Sequence, residues 1–218
     1  SHSRYWYVVL VSFLYPLVTD VLGANSGIGY ETVLELAKES AEFHILLGAR
    51  TVAKGEKALA DIKGTTGDSL KASISILSIE ITDQISVYTA KDSIEAHYGK
   101  LDVLINNAGI VVYQDVDKAT AFRQSFETNV IGLMRVTETL EPLLKRSSKP
   151  LVIYVSSEQG SISLRLNPDH QFHQIQGDSY HTSKAALNMV AACQRYNYAD
   201  AGIKVVAFNP GWCLSNLT

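Results

Sequence analysis

In the run YHTSK, Tyr180 and Lys184 stand four residues apart, so a helix would carry both on one face. A free phenol has a pKa of about 10, too high for efficient proton exchange at neutral pH. A lysine ammonium held close favours the phenolate and lowers that pKa, which suits the pair to donate a proton to a carbonyl or remove one from an alcohol. A solvated Lys one turn from a half-buried Tyr has the same spacing, so the pair needs company. Ser157 ends the apolar run PLVIYVSS, where its hydroxyl could hold a carbonyl oxygen or simply begin a loop. Asn129, in FETNVIG, falls inside a helical pattern, where Asn is unfavourable without a reason. Its structural alternative is a side-chain hydrogen bond across a helix bend.

A second chemistry is offered by GANSGIG, which sets Gly23, Gly27 and Gly29 at the mouth of a helical pattern. Glycine tolerates positive φ and lets a pyrophosphate approach the backbone, while a helix N-terminus offers N–H groups to its charge. Alone, such a turn is a weak signal.

These groups need a frame. Short runs rich in Val, Ile and Leu recur at residues 44–50, 73–81, 101–109, 150–157 and 203–211. Between them lie helical patterns at residues 30–40, 54–63, 85–98, 119–145 and 180–200. Near-continuous apolar strands alternating with amphipathic helices predict an α/β fold of the Rossmann type: a doubly wound parallel sheet in three layers, forming a single domain. In such a sheet ligands bind at the carboxyl ends of the strands, where all the candidate groups fall. The 218 residues suffice for one sizeable domain. A net charge of −3 without blocks of like charge argues against nucleic acid. Two cysteines, Cys193 and Cys213, with no CxxC pair, fit a reducing compartment and a cytoplasmic protein. His170 and His173 have no third ligand at suitable spacing, so no metal site is expected.

Taken in order, GANSGIG, NNAG (106–109), TNVIG (128–132), VSSEQG, YHTSK and NPGWCLSN resemble the short-chain dehydrogenase/reductase family, most closely its carbonyl-reductase branch. The resemblance runs from Gly23 to Ser215. It implies that Tyr180 is the proton donor, that Lys184 lowers its pKa and meets the nicotinamide ribose, and that Ser157 holds the carbonyl oxygen. Ser156 would be structural. Asn129 would fix a water linking Lys184 to solvent. The cofactor would lie along Gly23, Asn25, Ser26, Gly27, Ile28 and Gly29, then along Asn107, Ala108 and Gly109. Pro210, Gly211, Cys213 and Ser215 would border the nicotinamide and diphosphate, and Glu80 and Ile81 the adenine. Relatives form dimers or tetramers through the helices at 119–145 and 180–199. Leu133, Val136, Leu187 and Val190 read as apolar residues beyond what one sheet face needs.

Cofactor choice can be argued from residues. The second strand ends in LLGART, with no carboxylate to accept ribose hydroxyls, and Arg50 follows. A guanidinium binds phosphate bidentately, so NADPH/NADP is expected, with NAD disfavoured. The expected activity is an NADPH-dependent carbonyl reductase or alcohol dehydrogenase acting on a small molecule. A catalytically impaired dinucleotide-binding scaffold is the alternative. A sugar-nucleotide epimerase is disfavoured, because no chain is available for its larger substrate domain.

Three features depart from the family. Leu22 replaces the usual Thr before the first glycine. The chain stops at Thr218, so a last strand and most of a substrate lid are expected to be missing. Residues 1–22 form an N-terminal strand region with an apolar insertion, and 23–218 the remainder of the domain. Either residues 7–11 or 18–22 could be the first strand. The second choice puts Asp20 in a central strand, where a charge is costly. It is favoured nonetheless, because strand and helix in such units are joined by short loops. Pro16 and Asp20 interrupt the apolar run 5–22, which argues against a membrane span, and no small-residue cleavage site follows it, which argues against a signal peptide. The segment 161–179 is longer than an ordinary connection and is expected to wall the substrate site.

Overall fold

A computed structural model describes residues 17–112, 116–171 and 173–213. The first-strand alternative at 7–11, residues 12–16 of the apolar insertion and Ser215 lie outside them.

The chain runs β1 (Leu17–Val21), α1 (Gly27–Leu36), β2 (Phe43–Ala49), α2 (Val52–Thr66), β3 (Ser73–Ser78) and α3 (Gln84–Tyr98). It continues with β4 (Val103–Asn106), α4 (Lys118–Phe126), a π-helical turn (Glu127–Gly132), α5 (Leu133–Leu144) and β5 (Leu151–Val155). A 3-10 turn (Glu158–Gly160), α6 (Ile162–Leu166), α7 (Asp178–Asn197) and β6 (Lys204–Phe208) follow. All strands pair in parallel in the order β3-β2-β1-β4-β5-β6. Chain order reverses between β1 and β4, which opens a crevice at their carboxyl ends.

Alternation along each strand sends side chains to two cores. Leu17, Val21, Ile45, Leu47 and Ile105 pack under α1 and α2 with Val33 and Ile62. Val18, Leu46, Leu104 and Val152 pack on the other face against α3, α5 and α7. Leu133, Val136 and Leu187 are fully buried in that second core, and Val190 packs against it. Leu133, Val136 and Leu187 are therefore not the surplus surface the sequence suggested, because the sheet face and its helices cover them, whereas Val190 is only partly buried.

The first strand is β1, two residues from the glycine turn, as loop length favoured. Asp20 is completely buried in it, and neither carboxylate oxygen has a hydrogen-bond partner. Burial raises its pKa to about 8. Leu22 contributes to the turn through its backbone: its N–H donates to Ile105 O at 3.0 Å, and its carbonyl accepts from Asn107 Nδ2 at 3.0 Å. Among the described residues no helix is long and apolar enough to cross a membrane.

Candidate active site

A cleft of about 610 Å³ opens along the carboxyl ends of the strands. Its floor is the turn from β1 to α1. Gly23 has φ +67, and a Cβ there would lie 3.0 Å from Ala108 Cα. Gly29 could carry no side chain either: a Cβ would lie 2.5 Å from Asn107 Nδ2 and 2.7 Å from Gly23 O. The two loops are pressed together, which leaves Asn25, Ser26, Gly27 and Ile28 lining the cleft while Gly29 packs behind them. Ser26, at the N-cap of α1, makes no side-chain capping bond, so its hydroxyl does not occupy the N–H groups at this helix end.

Around that floor stand the other expected cofactor contacts, with Asn107, Ala108 and Gly109 after β4 and Pro210, Gly211 and Cys213 after β6. Burial raises the Cys213 thiol pKa. Arg50 lines the far end, joined by Lys54 from the first turn of α2. Glu80 and Ile81 are there too, with Glu80 Oε1 taken up by the Thr82 N–H at 3.2 Å and hydroxyl at 2.9 Å. A glycine-lined floor, an uncapped helix end and two cations at one extremity fit a dinucleotide carrying a phosphate at its adenosine end.

At the other end the candidate reacting groups meet. Lys184 is buried, with Nζ 5.6 Å from the Tyr180 ring centroid and donating to Val155 O at 2.8 Å. Burial lowers its pKa to about 8. Ser157 and Tyr180 line the same wall. The Ser157 oxygen accepts from Gln159 N at 3.2 Å, which leaves its own O–H to be donated elsewhere. Ser156 borders the cleft too, but its hydroxyl is engaged, donating to Asn188 Oδ1 at 2.6 Å.

Asn129 lies behind the wall rather than on it, in the π-helical turn, a local widening that recurs at functional sites. Its Oδ1 accepts from Ile110 N at 2.8 Å, and its Nδ2 donates to Ile110 O at 2.9 Å and Ser183 Oγ at 3.0 Å. Ser183 in turn donates to Tyr180 O at 2.7 Å. Asn129 thus ties the loop after β4 to the helix that bears the tyrosine. A Cβ on Gly109 would lie 3.4 Å from Asn129 Oδ1 and 3.8 Å from Lys184 Nζ, so both side chains converge on that glycine.

Gly160 sets the spacing between Ser157 and Tyr180. A Cβ there would lie 2.6 Å from Lys184 C and 2.8 Å from Ala185 N, backbone atoms that cannot yield. The serine turn is seated directly on α7. Gly160→Ala should therefore lower stability by about 1–3 kcal/mol through overpacking and cut turnover by roughly tenfold to a hundredfold through misplacement of Ser157. Chemical denaturation and kcat read the two effects; wild-type values for both would show that the turn does not depend on this contact.

The segment 161–179 does reach the cleft, through Ile175, Gln176 and Gly177. Arg165 clips it, with Nη1 donating to His173 O at 2.7 Å and Ile175 O at 3.0 Å. His173 Nδ1 lies 3.1 Å from Arg165 O and His170 Nε2 3.8 Å from Glu158 Oε2; no cluster that could hold a metal occurs among the described residues. Sequence reasoning missed Lys54, Gln159, Ser183 and Trp212. Lys54 was findable one helical turn after Arg50, and Trp212 within NPGWC; the other two depend on packing.

The model of the short chain dehydrogenase family matches residues 18–218. A short-chain dehydrogenase of Penicillium roqueforti is 32% identical over 207 residues, covering 92% of this chain and 80% of its own length. A retinol dehydrogenase of Bos taurus is 29% identical, over 94% of this chain and 64% of its own length. Among solved structures, NADPH-bound carbonyl reductase from chicken fatty liver superposes with a TM-score of 0.77 at 28% identity, over 94% of this chain and 82% of that one.

Proposed function

Because the chain belongs to the short-chain dehydrogenase/reductase family of NAD(P)-dependent oxidoreductases, we propose that it is an NADPH-dependent carbonyl reductase for small ketones or aldehydes, running as an alcohol dehydrogenase in reverse. The observation that carries the reading is the convergence of Ser157, Tyr180 and Lys184 on one wall of a cleft whose floor is the glycine turn. When bound, a reduced nicotinamide supplies the hydride. Ser157 donates its O–H to the substrate oxygen and holds it against Tyr180. Tyr180 gives that oxygen its proton as the carbonyl carbon becomes an alcohol carbon. Lys184, cationic below about pH 8, stabilises the phenolate left behind. Asn129 keeps the tyrosine's helix and the loop at Ile110 in register.

Arg50 and Lys54 support the choice of NADPH, since a 2′-phosphate there would meet two cations and no carboxylate after β2. NADPH should bind more tightly than NADH by roughly 1.5–3 kcal/mol if one charge-assisted contact decides it. Arg50→Ala should remove most of that difference by weakening NADPH alone. Fluorescence titration of both cofactors, followed by a panel of carbonyl compounds, tests the reading. Equal dissociation constants in the unmutated protein would end the argument for Arg50, and no reduction of any carbonyl would end the argument for the reaction.

A further inference from the structure

Gln159 faces two spaces at once. It lines the main cleft two residues from Ser157, and it lines a small cavity shared with His181, the residue next to Tyr180. Its backbone N–H donates to Ser157 Oγ at 3.2 Å, so its position is tied to that of the reacting hydroxyl. Its side-chain Oε1 lies 2.8 Å from His181 Nε2. A carboxamide oxygen can only accept, so His181 carries its proton on Nε2 and donates. Burial, then the nearby Arg165, lowers the His181 pKa and keeps the ring neutral, which leaves one N–H to give. The ring is seated against Gly177, where a Cβ would come to 3.4 Å from Nε2 and where φ is +150. With its oxygen taken, the carboxamide has its NH₂ left to donate, and among the described residues nothing accepts from it.

We propose that the Gln159 NH₂, oriented by His181, is a second donor beside the reaction centre, so that the preferred substrates are ketones bearing another oxygen acceptor within a few bonds of the reacting carbonyl: 1,2- or 1,3-dicarbonyls on an apolar body. Ser157 takes one oxygen and Gln159 the other. Val111, Ile175 and Trp212 supply the apolar wall around them. A substrate with two oxygens satisfies both donors; a simple ketone leaves one desolvated and unpaired, and sites built to hydrogen-bond a group discriminate strongly against analogues that lack it. Gln159 is a specificity-determining residue in this scheme and His181 a positioning residue. The inference rests on the carbonyl-reducing reading above.

The test compares kcat/KM for 1-phenyl-1,2-propanedione with that for phenylacetone, using NADPH, in the unmutated protein and in Gln159→Leu. Intrinsic reactivity differs between the two ketones but cancels in the change of their ratio. The dicarbonyl-to-monoketone ratio should fall at least tenfold in Gln159→Leu. It should also fall in His181→Phe, which keeps the ring but loses the donor, and recover in part in His181→Gln, which restores an N–H. Recovery in the glutamine variant separates positioning from mere support of the fold. Reduction of both ketones with an unchanged ratio in Gln159→Leu overturns this inference and leaves the carbonyl-reductase reading standing. Failure of the unmutated protein to reduce either compound, or any member of the carbonyl panel, overturns both.

Discussion

Tyr180→Phe should lose roughly 99% or more of turnover, since a positioned general acid contributes about a hundredfold to ten-thousandfold. Cofactor affinity should change little, because phenylalanine keeps the ring that packs beside Lys184 and removes only the hydroxyl. Tyr180 and Lys184 lie one helical turn apart on α7, the ammonium sits 5.6 Å from the ring centroid, and both line the wall that holds Ser157. Burial lowers the Lys184 pKa to about 8, so its charge, and the help it gives the phenolate, is present below that pH and lost as pH rises through it. The carbonyl-reducing rate should accordingly fall above about pH 8. A Tyr180→Phe variant that kept more than a few per cent of wild-type kcat would sink the proposed mechanism, whereas loss of cofactor binding would point instead to a packing defect.

The second large effect concerns stability. Asp20 is buried in β1 with no donor to either oxygen, and burial alone raises its pKa from 3.8 to about 8. Its folded-state pKa lies above the unfolded one, so the native chain holds a proton that the unfolded chain releases. Stability relative to the protonated state is therefore complete below about pH 4, declines through the interval, and reaches its full loss above about pH 8. At about 1.36 kcal/mol per pKa unit, the loss is on the order of 5 kcal/mol, a large part of an ordinary domain's stability. Asp20→Asn keeps the shape and abolishes the titration. The stability difference, variant minus wild type, should rise by about that amount between pH 4 and pH 9 in denaturant unfolding. A difference that stays flat across this range would mean that a partner or a bound water reaches the carboxylate. Asp102, just before β4, makes the contrast: it is also buried, yet it accepts from Val18 N, Lys100 Nζ and Ser147 Oγ.

The order of strands and helices, the parallel sheet and the place of the cleft were all legible along the chain. The reason is local: strands buried on both faces must be apolar throughout, helices must be amphipathic, and a glycine turn must stand where a helix begins beneath a ligand. YHTSK was readable for the same reason, because four residues of helix bring Tyr180 and Lys184 together with no help from the rest of the molecule. Loop length alone also chose residues 18–22 over the earlier apolar run, against the cost of burying Asp20, and the strand runs Leu17–Val21.

What only the tertiary structure decided are the relations between segments far apart in sequence. Nothing near Gly160 says that it must clear the backbone of Lys184, nor near Gly29 that it must clear Asn107. Asn129 read as an oddity in a helix; its three hydrogen bonds to Ile110 and Ser183 exist because the π-helical turn that carries it packs against α7. Leu133, Val136 and Leu187 looked like surplus apolar surface because hydrophobic periodicity reports that a face is buried without saying against what. Gln159 carried no signal at all, since its meaning comes from His181, which lies 22 positions away. A one-dimensional pattern records the environment each residue needs. The partner that supplies that environment is fixed only when the sheet closes and the loops at its carboxyl edge are pressed together.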